Sequence, residues 1–189
     1  KGKSIVFFAQ GPSPLITEAA FDEFLEFACW TARTFPDLRV SLREHPSLPL
    51  TTGRMARLKG MANLEVVAAS DKSLSLMLQE CEISVAIYSS TILESIAAGV
   101  VPVILNLTSL PHYVPDLGAE GLGIEVHSLE DAKRALIDLL SIPSRLAELA
   151  GNAEDRREFF FADLGAGASR RIAQEIMLKA GAPAATSAV

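Results

Sequence analysis

The sequence predicts an α/β fold: a doubly wound, mostly parallel sheet of six strands. Short apolar runs rich in Val, Ile and Phe alternate with segments of helical period along the chain, the pattern of βαβ units whose strands are covered on both faces. No internal repeat and no long linker divides the 189 residues. A chain of this length with 49% apolar residues can bury roughly 70% of its unfolded surface, so it needs neither disulfides nor a structural metal to hold a core.

The first strand is read over Ser4 to Ala9, followed by the turn Gln10-Gly11-Pro12-Ser13-Pro14 and a helix from about Leu15 to Thr34. Ile16, Ala20, Phe24, Phe27 and Thr31 trace its buried stripe at helical spacing. Leu38 to Arg43 makes a second strand, stopped at His45-Pro46 because proline cannot donate to a ladder and pushes the preceding residue out of helical space. A loop with Pro49 and Gly53 leads to a short helix near Arg54 to Lys59, then a third strand, Leu64 to Ala69. Leu74, Met77, Leu78 and Cys81 give one face of a helix, and Ile83 to Tyr88 a strongly apolar fourth strand. Ser89-Ser90-Thr91 opens a helix that ends at Gly99, where glycine can adopt the left-handed conformation beyond a helix end. Val100 to Leu105, a proline-containing loop from Asn106 to Leu122, and Gly123 to Val126 complete the strands. The helix Leu129 to Leu140 has its stripe at Leu129, Ala132, Leu136, Leu139 and Leu140. Two more helical stretches follow, Ser144 to about Ala162 and Ala168 to Ala180. Residues 1–181 are expected to form one domain and 182–189 a disordered tail.

The formal charge is −6 and the pI about 5.1, a balance that argues against nucleic acid or an anionic membrane as partner, since both call for a basic face. The uncharged stretch Ser95 to Pro115 is interrupted by Gly99, Pro102, Asn106, Pro111 and Pro115, which rules it out as a transmembrane segment. Cys29 and Cys81 lie in apolar helical patterns and read as core thiols of a reducing compartment. The start at Lys1 rather than Met, with no signal-peptide pattern, is read as a piece of a longer protein.

In doubly wound sheets, ligands bind beyond the carboxyl ends of the strands, where the strand order reverses. That rule selects the loops after each strand. The junction of strand, Ser89-Ser90-Thr91 and helix offers hydroxyls and unpaired N–H groups suited to a phosphate or diphosphate. The competing reading is a capping box, Thr91-Ile92-Leu93-Glu94, in which Thr91 and Glu94 satisfy the helix's own N–H groups. No Lys or Arg occurs between Lys72 and Lys133, so compensating cations would come from neighbouring strand ends, with Arg43 and Lys72 as candidates. Arg43-Glu44-His45-Pro46 ends the second strand on the same edge, where His45 can donate to a phosphate or base oxygen; it reads equally as a polar turn closed by proline. Gly11 lets backbone amides approach a ligand, or simply makes a βα turn.

No GxGxxG, GxxxxGK[ST], Gly-x-Ser-x-Gly or Asp-x-Asp occurs, which removes the main support for dinucleotide, P-loop, nucleophile-elbow and divalent-ion readings. Histidines 45, 112 and 127 lie in three distant segments with no Cys/His cluster, so no metal and no cofactor is expected.

In order along the chain, the Gly11 turn, Arg43-x-His45-Pro46, Asn63-Leu64-Glu65-Val66, Leu74 to Glu82, and Ser89-Ser90-Thr91-Ile92-Leu93-Glu94-Ser95-Ile96-Ala97-Ala98-Gly99-Val100-Val101-Pro102-Val103-Ile104 resemble the C-terminal, nucleotide-binding half of GT-B glycosyltransferases. The last run is similar to the family's S-x-x-x-E-A-x-x-x-G-x-P-x-I pattern, with Ser95 where alanine is usual. Gly123 to Val126 and the following helix resemble the closing strand and helix, and the likeness covers about residues 4–140. His-Pro together with Ser-Ser-Thr is similar to bacterial enzymes of capsule and surface polysaccharide assembly. The resemblance implies one half of a GT-B fold that holds a nucleotide-sugar donor without a metal. Ser89, Ser90 and Thr91 would sit on the phosphates, His45 and Arg43 near base or phosphate, Gly11 close to the ligand, and Glu94 on the ribose. It further implies an N-terminal domain that supplies the catalytic base and acceptor contacts, and a cytoplasmic place that includes the inner face of a membrane. Two other readings stand beside it: a sugar-nucleotide 2-epimerase domain, which usually shows Ser-Gly-Gly where this chain has Ser-Ser-Thr, and a non-catalytic module binding a nucleotide or a partner.

Overall fold

The computed structural model describes residues 4–108, 116–156 and 167–179. Six strands, β1 (Ser4–Phe8), β2 (Arg39–Arg43), β3 (Leu64–Val67), β4 (Ile83–Ala86), β5 (Val101–Leu105) and β6 (Ile124–Val126), form one sheet in the order β3-β2-β1-β4-β5-β6. Every pairing is parallel. The chain steps outward from β1 to β3, then returns to the far side of β1 for β4 to β6, so strand order reverses between β1 and β4. This is the doubly wound sheet that the alternating pattern predicts.

Helices α1 (Glu18–Thr34), α2 (Thr52–Leu58), α3 (Leu74–Glu80), α4 (Thr91–Ala97), α5 (Leu117–Glu120), α6 (Leu129–Ser141) and α7 (Pro143–Asp155) connect and follow the strands. Residues alternate between the two faces of a strand, and β1 shows both: Ile5 and Phe7 join the main core cluster, which Val6 and Phe8 do not, and all five of its residues are buried. Phe7 meets Phe24 and Phe27 of α1 edge-on, with ring centroids 5.7 and 5.5 Å apart, a geometry favoured by the ring quadrupoles. Ala132, Leu136 and Leu139 of α6 join the same cluster.

α1 begins at Glu18 rather than near Leu15, because the Thr17 hydroxyl accepts the Ala20 N–H at 3.1 Å and caps the helix. The residues before it close their own turn, with Ser13 and Ile16 exchanging backbone bonds. The loop after β5 holds a helical turn that its prolines and glycines hide in the sequence: Asp116 accepts the Ala119 N–H at 3.0 Å and starts α5. Gly99 has φ +68° just past α4, as its place at a helix end predicts.

The chain divides into two compact units, residues 1–154 and 155–189. In the second unit, α8 (Gly167–Lys179) leaves Ile172, Ile176 and Leu178 exposed and buries none of its residues. The expected helix over 157–162, His112 in the loop after β5, and the tail 182–189 fall outside the described residues. Among the described residues no helix is long and apolar enough to cross a membrane.

Candidate functional site

The carboxyl ends of β1 and β4 flank the reversal of strand order, and the turns that leave them run in opposite directions, which opens a crevice. On the β1 side the turn is Ala9-Gln10-Gly11. Gly11 has φ +75°, and a β-carbon there would lie 3.0 Å from Leu48 Cβ. Only glycine meets both conditions without strain. Leu48 belongs to the turn that begins at His45: its N–H bonds the His45 carbonyl at 3.2 Å, and the two residues form an isolated bridge. Gly11 therefore seats the His-Pro turn directly against the β1 turn.

His45 accepts the Ser47 N–H on Nδ1 at 3.2 Å, so the neutral ring carries its proton on Nε2 and presents that nitrogen as a donor. Arg43, at the end of β2, turns elsewhere. Its Nη2 donates to the Ala69 carbonyl at 3.3 Å and its Nε to the Lys72 carbonyl at 3.5 Å, which ties down the loop between β3 and α3. Lys72 puts its ammonium on Glu80, 2.5 Å away. Both cations proposed from the sequence as counter-charges are thus engaged within the protein.

On the β4 side the three hydroxyl residues divide their tasks. Ser89 Oγ accepts from the Thr91 N–H at 3.2 Å and lies 2.8 Å from Thr91 Oγ1, and the Ile92 N–H reaches the Ser89 carbonyl at 3.2 Å. Ser89 thereby does the local capping. Ser90 is the residue at the helix cap, in αR conformation with no side-chain capping bond. The capping box drawn from the sequence does not form: Thr91 lies one residue inside α4 and Glu94 a turn further along. Among the described residues, the exposed Ser90 hydroxyl and the exposed Glu94 carboxylate have no hydrogen-bond or ionic partner.

Two features escape a reading of motifs. Gln10 bridges the crevice: its Oε1 accepts the Tyr88 N–H at 2.6 Å, and its Nε2 donates to the Tyr88 carbonyl. Buried Asn106, just past β5, donates to Glu125 Oε1 at 2.8 Å, while His127 Nδ1 lies 3.2 Å from the Asn106 carbonyl. Neither has a distinctive spacing, and the one hint was polarity at the end of an apolar strand. Ser95 and Asn63 prove structural. Ser95 Oγ donates to the Thr91 carbonyl at 2.8 Å and accepts from Ser84 Oγ at 2.9 Å. Asn63 Nδ2 spans the carbonyls of Ala32, Phe35 and Leu38 at 3.0–3.1 Å, closing the end of α1 onto β2.

No protein-family model matches the chain, and no curated protein matches it in sequence. Solved structures do match in fold. A UDP-GlcNAc 2-epimerase from Neisseria meningitidis, solved with UDP-GlcNAc bound, superposes with a TM-score of 0.69 at 15% identity, over 94% of this chain and 45% of that one. The glycotransferase of kitacinnamycin gives 0.61 at 16%, over 94% and 43%. The C-terminal domain of a glycosyl transferase group 1 family protein from Francisella tularensis gives 0.61 at 18%, over 81% and 83%. The chain spans less than half the length of the first two. At such identities the likeness is one of architecture: this chain has the six-stranded, all-parallel half-domain fold shared by the C-terminal domains of GT-B glycosyltransferases and by UDP-GlcNAc 2-epimerases.

Proposed function

We propose that the chain is the donor-binding half of a GT-B glycosyltransferase, holding a nucleotide-sugar without a metal while an acceptor attacks the anomeric carbon. The observation that carries the reading is the placement of Gly11, His45 and Ser89 to Thr91 on one carboxyl edge, at or beside the reversal between β1 and β4. There His45 Nε2–H and the Ser90 hydroxyl supply neutral donors to a phosphate, and Glu94, one turn into α4, supplies an acceptor for ribose hydroxyls. Arg43 stays in the proposal as the group that shapes the neighbouring loop rather than as a phosphate ligand. Catalytic base and acceptor contacts belong to a second half-domain, and the exposed Ile172, Ile176 and Leu178 of α8 are apolar surface that such a half would cover.

Calorimetric titration of UDP, CMP and their sugars tests the reading. Ser90→Ala removes a hydrogen bond to a charged group and is expected to weaken binding on the order of tenfold or more, with Glu94→Gln lowering affinity for ribonucleotides only. Binding that Ser90→Ala leaves unchanged would overturn the phosphate assignment, and no binding of any nucleotide would favour a partner-binding module. The epimerase reading is supported by the 0.69 TM-score of the Neisseria enzyme. It predicts that a protein containing both halves interconverts UDP-GlcNAc and its C2 epimer with no acceptor present.

A further inference from the structure

β1 and β4 pair in a constant register, Ile5 with Ile83, Val6 with Ser84 and Phe7 with Val85, each pair 78 positions apart. Continued past the last backbone rung, the same offset sets Gln10 opposite Tyr88. The β1–β4 ladder ends at Phe7 and Val85; beyond it Ala9 gives its N–H to the Arg43 carbonyl of β2, and the β4 chain runs on to Ser89 and α4. The Gln10 side chain spans the gap and meets both backbone groups of Tyr88, the N–H with Oε1 at 2.6 Å and the carbonyl with Nε2. The amide thus ties the two chains together beyond the last backbone rung. A carboxylate cannot make both bonds, because it has no donor, and asparagine is one methylene shorter.

We propose that Gln10 is a positioning residue: its amide is a side-chain rung across the mouth of the sheet that fixes the spacing of the Gly11 turn and the Ser89-Ser90-Thr91 turn, and so the width of the crevice. Tyr88 lies two residues past the end of β4 and two residues before Ser90. Without the rung, the 88–91 segment keeps its bonds on the helix side, through Ser89 and α4, and loses this tie to the β1 turn. Hydroxyl donors then keep their chemistry and lose their setting relative to His45, whose turn is held to the β1 side by Gly11 and Leu48. For the identity of the ligand, the inference rests on the nucleotide reading above; for the geometry it does not.

Residue-resolved amide hydrogen exchange on the 189-residue chain, paired with nucleotide titration, tests it. In Gln10→Ala the amides of Tyr88, Thr91 and Ile92 are expected to exchange on the order of tenfold faster, while those of α1, β2 and α6 keep their rates. Gln10→Glu retains the acceptor and is expected to protect the Tyr88 amide more than Gln10→Ala does. Nucleotide affinity should fall in the order wild type, Gln10→Glu, Gln10→Ala. Unchanged exchange at 88–92 overturns the proposal, and so does uniform acceleration throughout the domain, which a merely structural role would give. Affinity unchanged in Gln10→Ala despite faster local exchange also overturns it. Absence of binding by the wild-type chain would instead be a failure of the nucleotide reading, and the exchange comparison would still decide whether Gln10 sets the turn.

Discussion

Ser95 stands where the resembled family usually has alanine, and its surroundings yield a quantitative prediction. Ser84 in β4 and Ser95 in α4 are both buried. Ser84 Oγ donates to Ser95 Oγ at 2.9 Å, and Ser95 Oγ in turn donates to the Thr91 carbonyl at 2.8 Å. Ser95→Ala removes the acceptor of Ser84 and leaves that hydroxyl in an apolar interior, a loss of about 1–3 kcal/mol. At 2–4 °C per kcal/mol for a domain of this size, a value of about 2 kcal/mol lowers the melting temperature by roughly 4–8 °C. Ser84→Ala is milder, since Ser95 still reaches the Thr91 carbonyl. In the double variant Ser84→Ala, Ser95→Ala no hydroxyl is stranded, so its loss should be smaller than the sum of the single losses, and close to that of Ser84→Ala alone. Urea unfolding of the four proteins, with a common dependence on denaturant, supplies the cycle. Additive losses would refute the reasoning, because they would mean that the two hydroxyls are satisfied independently.

Gly11→Ala should destabilise the domain by roughly 1–3 kcal/mol through positive φ and contact with Leu48, and adding Leu48→Ala should recover only the part due to crowding, as read by thermal melts. Asn63→Ala should cost roughly 2 kcal/mol in urea unfolding, since three carbonyls around the end of α1 lose their shared donor. The Lys72 ammonium holds the Glu80 carboxyl below its ordinary 4.5, with Arg39 adding to the effect. A depressed folded value stabilises the protein above pH 4.5 and loses that contribution as pH falls through the folded value; Glu80→Gln should therefore shrink the acid-side decline in the urea midpoint.

The sheet was legible because its evidence is distributed. Each strand is three to five residues long with apolar residues at its centre or along its length, and β1 and β5, buried along their whole length, announce themselves by composition alone. The reversal of strand order followed from the fold class, and the candidate loops from the reversal. What the motifs could not convey is which partner a side chain chooses. Arg43, two residues before His45 in the chain's motif, spends its guanidinium on the carbonyls of residues 69 and 72. Thr91 and Glu94 have the spacing of a capping box but sit one residue out of phase with the helix they open, and a shift of one residue is below what propensity resolves. Gln10 was invisible for another reason. Its significance depends on β4, 78 positions away, and on the register between the two strands.

The fates of Arg43 and Lys72 bear on how the crevice would hold an anion. With one bound to backbone carbonyls and the other to Glu80, the donors that the proposed reading sets on the phosphate, from the turns after β2 and β4, are neutral: hydroxyls and one imidazole N–H. Neutral donors select the geometry of a phosphate but do little to offset its charge, since a hydrogen bond to a charged group contributes about 1.5–3 kcal/mol, far from what tight diphosphate binding requires. On the proposed reading, then, this half of the fold orients the donor, and cations from a second half would complete the site on closure. Such a division makes occupancy of the crevice depend on the two halves meeting, which couples donor capture to the closed arrangement in which transfer could occur.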